Sequence, residues 1–218
     1  MSTYKCVFLD WAFTLSNSLF WEHLNNPEHE YFQAFQTIQH TLFTGKNISQ
    51  LIPDWMRGKL TSEDIVAALC QQNTALDPQM LLAELELSCR QMQFVSPQVP
   101  TYVARLQARG IKVVIATDNM DTFTRWTVPA LQLRSLFDDV LNSYDLQGLK
   151  ADIDSTGRSV FFDAYLQDQQ LRYGESVLID DGDEEFGQVI RSFGIDYRHI
   201  QPRVGLVSEL QKLLAALG

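Results

Sequence analysis

Short runs of apolar, often β-branched residues recur along the chain, and each is followed at once by polar or acidic residues. Residues 4–10 end in Asp10, residues 111–117 end in Thr117 with Asp118 and Asn119 behind it, and residues 176–180 end in Asp180 with Asp181 behind it. Further runs lie at 139–141 and 195–200. Between these runs the apolar spacing turns helical. Residues 97–109 carry Val99, Val103 and Leu106 at helical intervals and stop at Gly110, where a C-cap glycine belongs. Residues 160–171, 186–193 (stopped by Gly194) and 204–217 read as helices, and 121–133 as a helix broken or restarted at Pro129. Strands separated by helices of this length pair in parallel through right-handed crossovers. The expected fold is therefore α/β, with a Rossmann-like parallel sheet as its core.

The strand signals stop between Leu15 and Gln93. Residues 28–43 form an aromatic-rich helical pattern with Tyr31, Phe32, Phe35 and Phe43. Thr61 with Asp64 three residues later marks a weak capping box. Asp77-Pro78 supplies an N-cap and a first-turn proline ahead of Leu81, Leu82, Leu85 and Met92. The expected organisation is an α/β core of residues 1–15 and 94–218 carrying an all-helical cap domain of residues 16–93. The aromatic stripe, Phe20 and Trp21 included, reads as cap core, with Trp11 and Trp21 as alternatives for the mouth of a site.

Composition removes several function classes. Among the 218 residues the formal net charge is -10, against the basic patch that nucleic acid or an anionic membrane requires. No apolar run is long enough to span a bilayer, and the stretch after Lys5 is too short for a signal peptide. Cys6, Cys70 and Cys89 are scattered and odd in number, which points to reduced thiols and a cytoplasmic location. His23, His29, His40 and His199 lack metal-ligand spacing.

Ligands of parallel sheets bind beyond the C-terminal strand ends. The strand ends here deliver Asp10, then Thr117-Asp118-Asn119, then the acidic run Asp180, Asp181, Asp183, Glu184 and Glu185; Lys150 lies in a loop between the last two. Singly, each has an ordinary reading as a helix cap or a solvated residue. Together they supply a carboxylate nucleophile, a hydroxyl, an ammonium and a carboxylate pair, the set needed for phosphoryl transfer through an aspartyl intermediate. Carboxylates this close repel one another unless water or a cation screens them.

The same residues resemble the motifs of the haloacid dehalogenase superfamily over essentially the whole chain. Residues 7–15, with Asp10 and Thr14, are similar to the first motif, a strand ending in Asp-x-Asp-x-Thr; Thr117 matches the second, Lys150 the third, and Asp180-Asp181 with Glu185 the fourth. The resemblance implies that Asp10 attacks phosphorus while Thr117 and Lys150 hold the phosphoryl oxygens. It also implies Mg²⁺ held by Asp10, Asp181 and the main-chain carbonyl of Ala12. Trp11, Ala12, Asp118 and Asn119 are the implied substrate contacts, and the implied partner is a small phosphorylated or related anionic molecule, bound by a monomer or homodimer.

Ala12 departs from the pattern, because the second aspartate of the first motif is the family's general acid–base. Phe13 stands where glycine is usual, and Ala151 follows Lys150 where proline is frequent. Three readings stay open: a Mg²⁺-dependent phosphatase for good leaving groups, a phosphonate or haloacid hydrolase using a cap residue such as Lys46 or Lys59, and a phospho-ligand-binding module without turnover.

Overall fold

The apolar runs form five strands: β1 (Cys6–Leu9), β2 (Lys112–Thr117), β3 (Asp139–Asn142), β4 (Ser176–Asp180) and β5 (Asp196–His199). In the computed structural model, which describes residues 4–44 and 49–216, they make one parallel sheet of order β3-β2-β1-β4-β5. The central β1 places Leu9 beside Ile115 on one side and Ile179 on the other. The chain runs outward from β1 through β2 to β3, then crosses back to β4 and β5. Such a reversal opens a crevice at the C-terminal edge, between β1 and β4.

The insertion between β1 and β2 is helical: α1 (Phe32–Thr44), α2 (Ile52–Met56), α3 (Ser62–Gln72) and α4 (Pro78–Arg90). Thr61 and Asp64 form the full capping box of α3, and Asp77 caps α4 through the N–H groups of Gln79 and Met80. Helix α1 starts later than the sequence pattern alone places it. Residues 26–31 fold as turns, in which Asn26 Oδ1 accepts from the Glu28 N–H and His29 Nδ1 accepts from the Tyr31 N–H. These local side-chain acceptors compete with a helical start.

After the insertion come α5 (Val99–Gln107), α6 (Val128–Ala130), α7 (Leu133–Leu136), α8 (Ser143–Leu146), α9 (Asp163–Asp168), α10 (Glu184–Ser192) and α11 (Leu206–Ala216). The helix expected over 121–133, broken or restarted at Pro129, is a wide π-turn, Phe123–Thr127, running into α6. Pro129 has no N–H to continue an α-ladder, and Gln132 then turns left-handed at φ 51° before α7 begins. Helix α9 is shorter than the expected 160–171. Ser159 Oγ accepts from the Phe161 and Phe162 N–H groups before it, and Gln170 is left-handed at φ 56° after it.

Alternate strand residues face opposite sides. Val7, Leu9, Val113, Ile115, Val177 and Ile179 join one buried cluster with Val103 and Leu106 of α5 and Leu210 and Leu213 of α11. Phe8, Val114 and Leu178 face the other cluster, with Leu166 of α9 and Ile190 of α10. Ile38, Leu69, Leu81 and Leu85 of the insertion belong to the first cluster, so the helical segment and one sheet face share a continuous apolar interior. The insertion leaves and rejoins the sheet at adjacent points: Ser16 pairs with Phe94, and the Val95 N–H donates to the Leu15 carbonyl.

Helix α10 packs on β5 with no room to spare. A Cβ at Gly187 would meet Tyr197 Cδ1 at 2.4 Å. The Tyr197 ring is fixed by its hydroxyl bond to the Gly182 carbonyl and by edge contact with Phe186. Gly187→Ala improves helix propensity by about 1 kcal/mol, whereas overpacking a fixed ring costs about 1–3 kcal/mol. The expected result is a melting temperature lower by a few degrees; an unchanged or higher value in a thermal melt would contradict this packing.

Candidate active site

One step beyond the paired Leu9 and Ile179, Asp10 and Asp180 stand side by side at the crevice. Lys150 joins them. Its Nζ donates to Asp10 Oδ1 at 2.7 Å and to Asp180 Oδ2 at 2.6 Å. All three side chains are buried: Lys150 is 4% exposed, Asp10 5% and Asp180 3%. Asp180 is held on both oxygens, since Oδ1 accepts the Gly182 N–H at 2.7 Å. Asp10 Oδ2 accepts no hydrogen bond among the described residues, so the carboxylate keeps one oxygen in reserve.

The Lys150 loop is itself positioned. The Lys150 N–H donates to Asp118 Oδ1 at 2.9 Å, and the Leu149 N–H to Asp152 Oδ2 at 2.9 Å. Arg57 at the end of α2 grips Asp152 with two bonds of 2.9 and 2.8 Å. The face of Phe186 lies 5.5 Å from the ammonium, a cation–π contact.

Thr117 ends β2, fully buried, and its Oγ1 has no hydrogen-bond partner among the described residues. A buried hydroxyl without a partner is costly, and one at a strand end fits an anion. Asn119 is used structurally: its N–H and carbonyl bond the Ser143 hydroxyl, and its Oδ1 accepts the Met120 N–H. In the turn after Asp10, the Trp11 carbonyl accepts from Leu15 and Ser16, and the Ser16 carbonyl from Phe13. That pairing leaves the Trp11 and Ala12 N–H groups and the Ala12 carbonyl without backbone partners among the described residues. Phe13 is left-handed at φ 56°, as expected for a position that favours glycine. It is held there by Arg203, whose N–H donates to its carbonyl at 2.7 Å and whose guanidinium covers its ring.

Carboxylate oxygens of Asp10, Asp180 and Asp181 lie within 4.8 Å of one another. Burial pushes Asp10 up to about 7, against the opposing pull of Lys150. Burial, then Asp180, raises Asp181, and burial raises Asp118. Burial alone would lower Lys150, but Asp10, Asp180 and Asp118 outweigh it and hold the ammonium well above its ordinary value. Negative groups thus outnumber the single cation in a poorly solvated space. A hard divalent cation suits that donor set, carboxylates with a free main-chain carbonyl. Asp183 and Glu185 stand apart from it: Asp183 caps α10 by accepting the Phe186 N–H at 2.9 Å, and Glu185 is exposed on that helix.

Above the strand ends lies a cavity of about 200 Å³ that touches Trp11, Ala12, Asp118 and Asn119. Its roof comes from the insertion, with Phe20, Trp21, Leu42, Ile52, Trp55 and Met56. Trp21 is therefore both cap core and cavity wall. Lys59 is exposed and paired with Asp54 at 2.8 Å, away from the cavity; Lys46 and the Phe43 side chain lie outside the described residues. Polar links between insertion and core escaped sequence reading, and two of them bear on the site. One is Arg57 with Asp152. The other is buried Asp121, which accepts from Trp55 Nε1 at 2.7 Å, Ser62 Oγ at 2.7 Å and Arg125 Nη1 at 2.7 Å. Their only sequence signal is polar residues in otherwise helical stretches, which names no partner.

No family model and no curated relative matches the sequence. Solved structures do match. A HAD-like family hydrolase from Porphyromonas gingivalis superposes with a TM-score of 0.70 at 17% identity, covering 97% of this chain and 98% of that one. A HAD family enzyme from Bacteroides thetaiotaomicron gives 0.67 at 15% identity over 92% of this chain and 95% of its own, and has also been solved in complex with magnesium and inorganic phosphate. This chain has the haloacid dehalogenase fold. The L-2-haloacid dehalogenase of Xanthobacter autotrophicus shares that fold too, with a TM-score of 0.63 at 15% identity over 98% of this chain and 83% of that one. The resemblance read from the motifs thus holds at the level of the fold. No helix among the described residues is long and apolar enough to cross a membrane.

The electrostatics has a measurable consequence. With its pKa at about 7 folded, against an ordinary 3.8, Asp10 binds more proton in the folded than in the unfolded state across that interval. The contribution of Asp10 to stability therefore falls as pH rises from about 4 to 7 and is level above. In chelator, Asp10→Asn should melt above the wild type at pH 8, with the gap closing towards pH 4. A mutant that melts lower at pH 8 would contradict the burial cost assigned to Asp10.

Proposed function

We propose that the protein is a Mg²⁺-dependent hydrolase of phosphoryl groups, with Asp10 as nucleophile. The observation that carries this reading is Lys150 bridging Asp10 and Asp180 while Asp10 Oδ2 stays free. An ammonium on one oxygen of Asp10 favours the anionic carboxylate against the effect of burial, orients it, and leaves the other oxygen to attack. Asp180 acts through Lys150, as a positioning residue. Asp10, Asp181 and the Ala12 carbonyl would hold the cation. When bound, the cation offsets the charge of two anions brought together, the carboxylate and the phosphoryl group.

In this mechanism Asp10 Oδ2 attacks phosphorus and the bond to the leaving oxygen breaks, that oxygen keeping the electron pair. The Thr117 hydroxyl, the Lys150 ammonium and the free N–H groups of Trp11 and Ala12 donate to the phosphoryl oxygens as charge builds on them. Water then attacks the phosphorus of the aspartyl phosphate, releasing inorganic phosphate and restoring Asp10. Asp118 and Asn119 shape the rim; their own bonds to Lys150 and Ser143 make them supports as well as contacts. Residues 16–93 serve as the cap that roofs the site, joined to the core of residues 1–15 and 94–218. Three free cysteines, two of them buried, fit a reducing, cytoplasmic setting.

Ala12 bears on rate and not on the nucleophile. It is exposed at the crevice, and its methyl group cannot give or take a proton. The alanine also suits a carbon–halogen hydrolase, but among the described residues no Lys, Arg or His lines the cavity to take a halide. The Asp180-Asp181 pair favours the phosphoryl reading.

The test is steady-state hydrolysis of acetyl phosphate, whose leaving group needs no acid. Mg²⁺-dependent phosphate release is expected, abolished by chelator and reduced to background in Asp10→Asn. Turnover surviving in Asp10→Asn would remove Asp10 as nucleophile. Ala12→Asp should raise turnover of a simple alkyl phosphate by roughly 10²-fold or more, the usual contribution of a placed general acid–base. No gain in that variant would mean that alanine at this position is not what limits the enzyme.

A further inference from the structure

We infer that the substrate carries an aryl group directly on the phosphoryl oxygen: the site is built for a phosphate monoester of a phenol. The inference rests on the phosphoryl-transfer reading and adds the identity of the leaving group to it. Two independent features converge on it.

The first is the cavity wall. The space begins at Trp11 and Ala12, the residues following the nucleophile, and is closed by Phe20, Trp21, Trp55, Met92 and Met120. The indole N–H groups of Trp21 and Trp55 are already spent on the Leu81 carbonyl and Asp121, so these rings have no donor left for a ligand. Asp118 is the only charged side chain of the wall among the described residues, and its Oδ1 is taken by the Lys150 N–H. A sugar, polyol or nucleotide would lose water here and find few partners, which is costly. An aromatic ring loses nothing polar and gains edge and face contacts with the tryptophans and sulfur contacts with the methionines. The volume, about 200 Å³, is below that of pockets for drug-sized ligands and admits one compact ring system.

The second feature is the missing acid. At position 12 there is a methyl group, and among the described residues the wall holds no His, Lys, Glu or Tyr and a single carboxyl, Asp118, whose Oδ1 is bound by the Lys150 N–H. With the acid–base side chain after the nucleophile replaced by a methyl group, the site favours a leaving oxygen that can depart unprotonated. An alkoxide does so poorly. A phenoxide does so far better, because the ring takes up the charge; the bond from phosphorus to oxygen breaks, the phenoxide keeps the pair, and it gains its proton from water outside the site.

Binding and chemistry test this separately. In Mg²⁺ buffer, calorimetric titration should show benzylphosphonate, which cannot be hydrolysed, binding about tenfold or more tightly than methylphosphonate, the gain from burying one ring. Met56→Glu should lower that preference; Met56→Gln serves if the charged variant does not fold. In turnover, substituted phenyl phosphates should show a steep dependence of kcat on leaving-group acidity, flattened by Ala12→Asp, and glycerol 2-phosphate should be at least tenfold poorer than phenyl phosphate in kcat/KM. If acetyl phosphate is hydrolysed but the two phosphonates bind equally, the aryl assignment is overturned and the phosphoryl reading stands. If acetyl phosphate is not hydrolysed and neither phosphonate binds, both are overturned.

Discussion

The ammonium of Lys150, shared between Asp10 and Asp180, is the interaction on which the site depends. Parallel pairing of β1 with β4 brings two carboxylates to neighbouring strand ends, buried and close. Alone they would repel, and burial would drive protons onto them. A single cation between them, 2.7 and 2.6 Å away, keeps the arrangement ionic. Loss of Lys150 would leave both buried carboxylates uncompensated, a change of the kind that costs about 3–5 kcal/mol. The geometry is therefore secured from every side: the Gly182 N–H fixes Asp180, Asp118 fixes the Lys150 backbone, and Arg57 fixes the loop through Asp152. One lysine remains short of neutralising the acidic group, and this is the physical basis for assigning a cation to Asp10 and Asp181.

The helical insertion is tied to this centre by more than apolar contact. Arg57 spans from α2 to the loop that carries Lys150, and Trp55 and Ser62 reach Asp121 just beyond β2. Both links join the roof of the cavity to the segments that present functional groups. A shift of the insertion would be felt at Lys150 and at the end of β2 together. The strained Phe13 belongs to the same design, since the loop of Arg203 after β5 pins it and so holds the turn that follows Asp10. Backbone strain of this sort, of order 1–3 kcal/mol, persists only where surrounding contacts enforce it.

Much of this was readable from residue order alone. The strands announce themselves as buried β-branched runs, and their parallel arrangement follows from the helices between them. The short 139–141 run is β3, and the Thr61 and Asp77 caps stand where their side chains require. Helix ends were less legible where a side chain outcompetes the backbone: Asn26 and His29 delay α1, and Ser159 delays α9. Pro129 signalled a break but not the π-turn before it. Asp10, Thr117, Lys150 and Asp181 could be singled out because strand ends converge in a parallel sheet. The separation of Asp180, which orients Lys150, from Asp183, which caps α10, could not, because the two are alike in sequence and differ only in what lies opposite them. The cavity wall was legible only in part: Trp11 and Trp21 could be named as alternatives for its mouth, whereas Trp55 could not, because a tryptophan with one face in a core and the other on a cavity has no distinct spacing.

The most direct measurement is the identity of the covalent intermediate. The protein would be mixed with ³²P-labelled acetyl phosphate and Mg²⁺, quenched in acid within one turnover and digested, and the labelled peptide sequenced by mass spectrometry. The account requires stoichiometric label on the peptide containing Asp10, sensitive to hydroxylamine as an acyl phosphate must be, and accumulating because no side chain at position 12 activates water for its release. Label on another residue, or hydrolysis with no acid-stable phosphoenzyme and no label at Asp10, would contradict it.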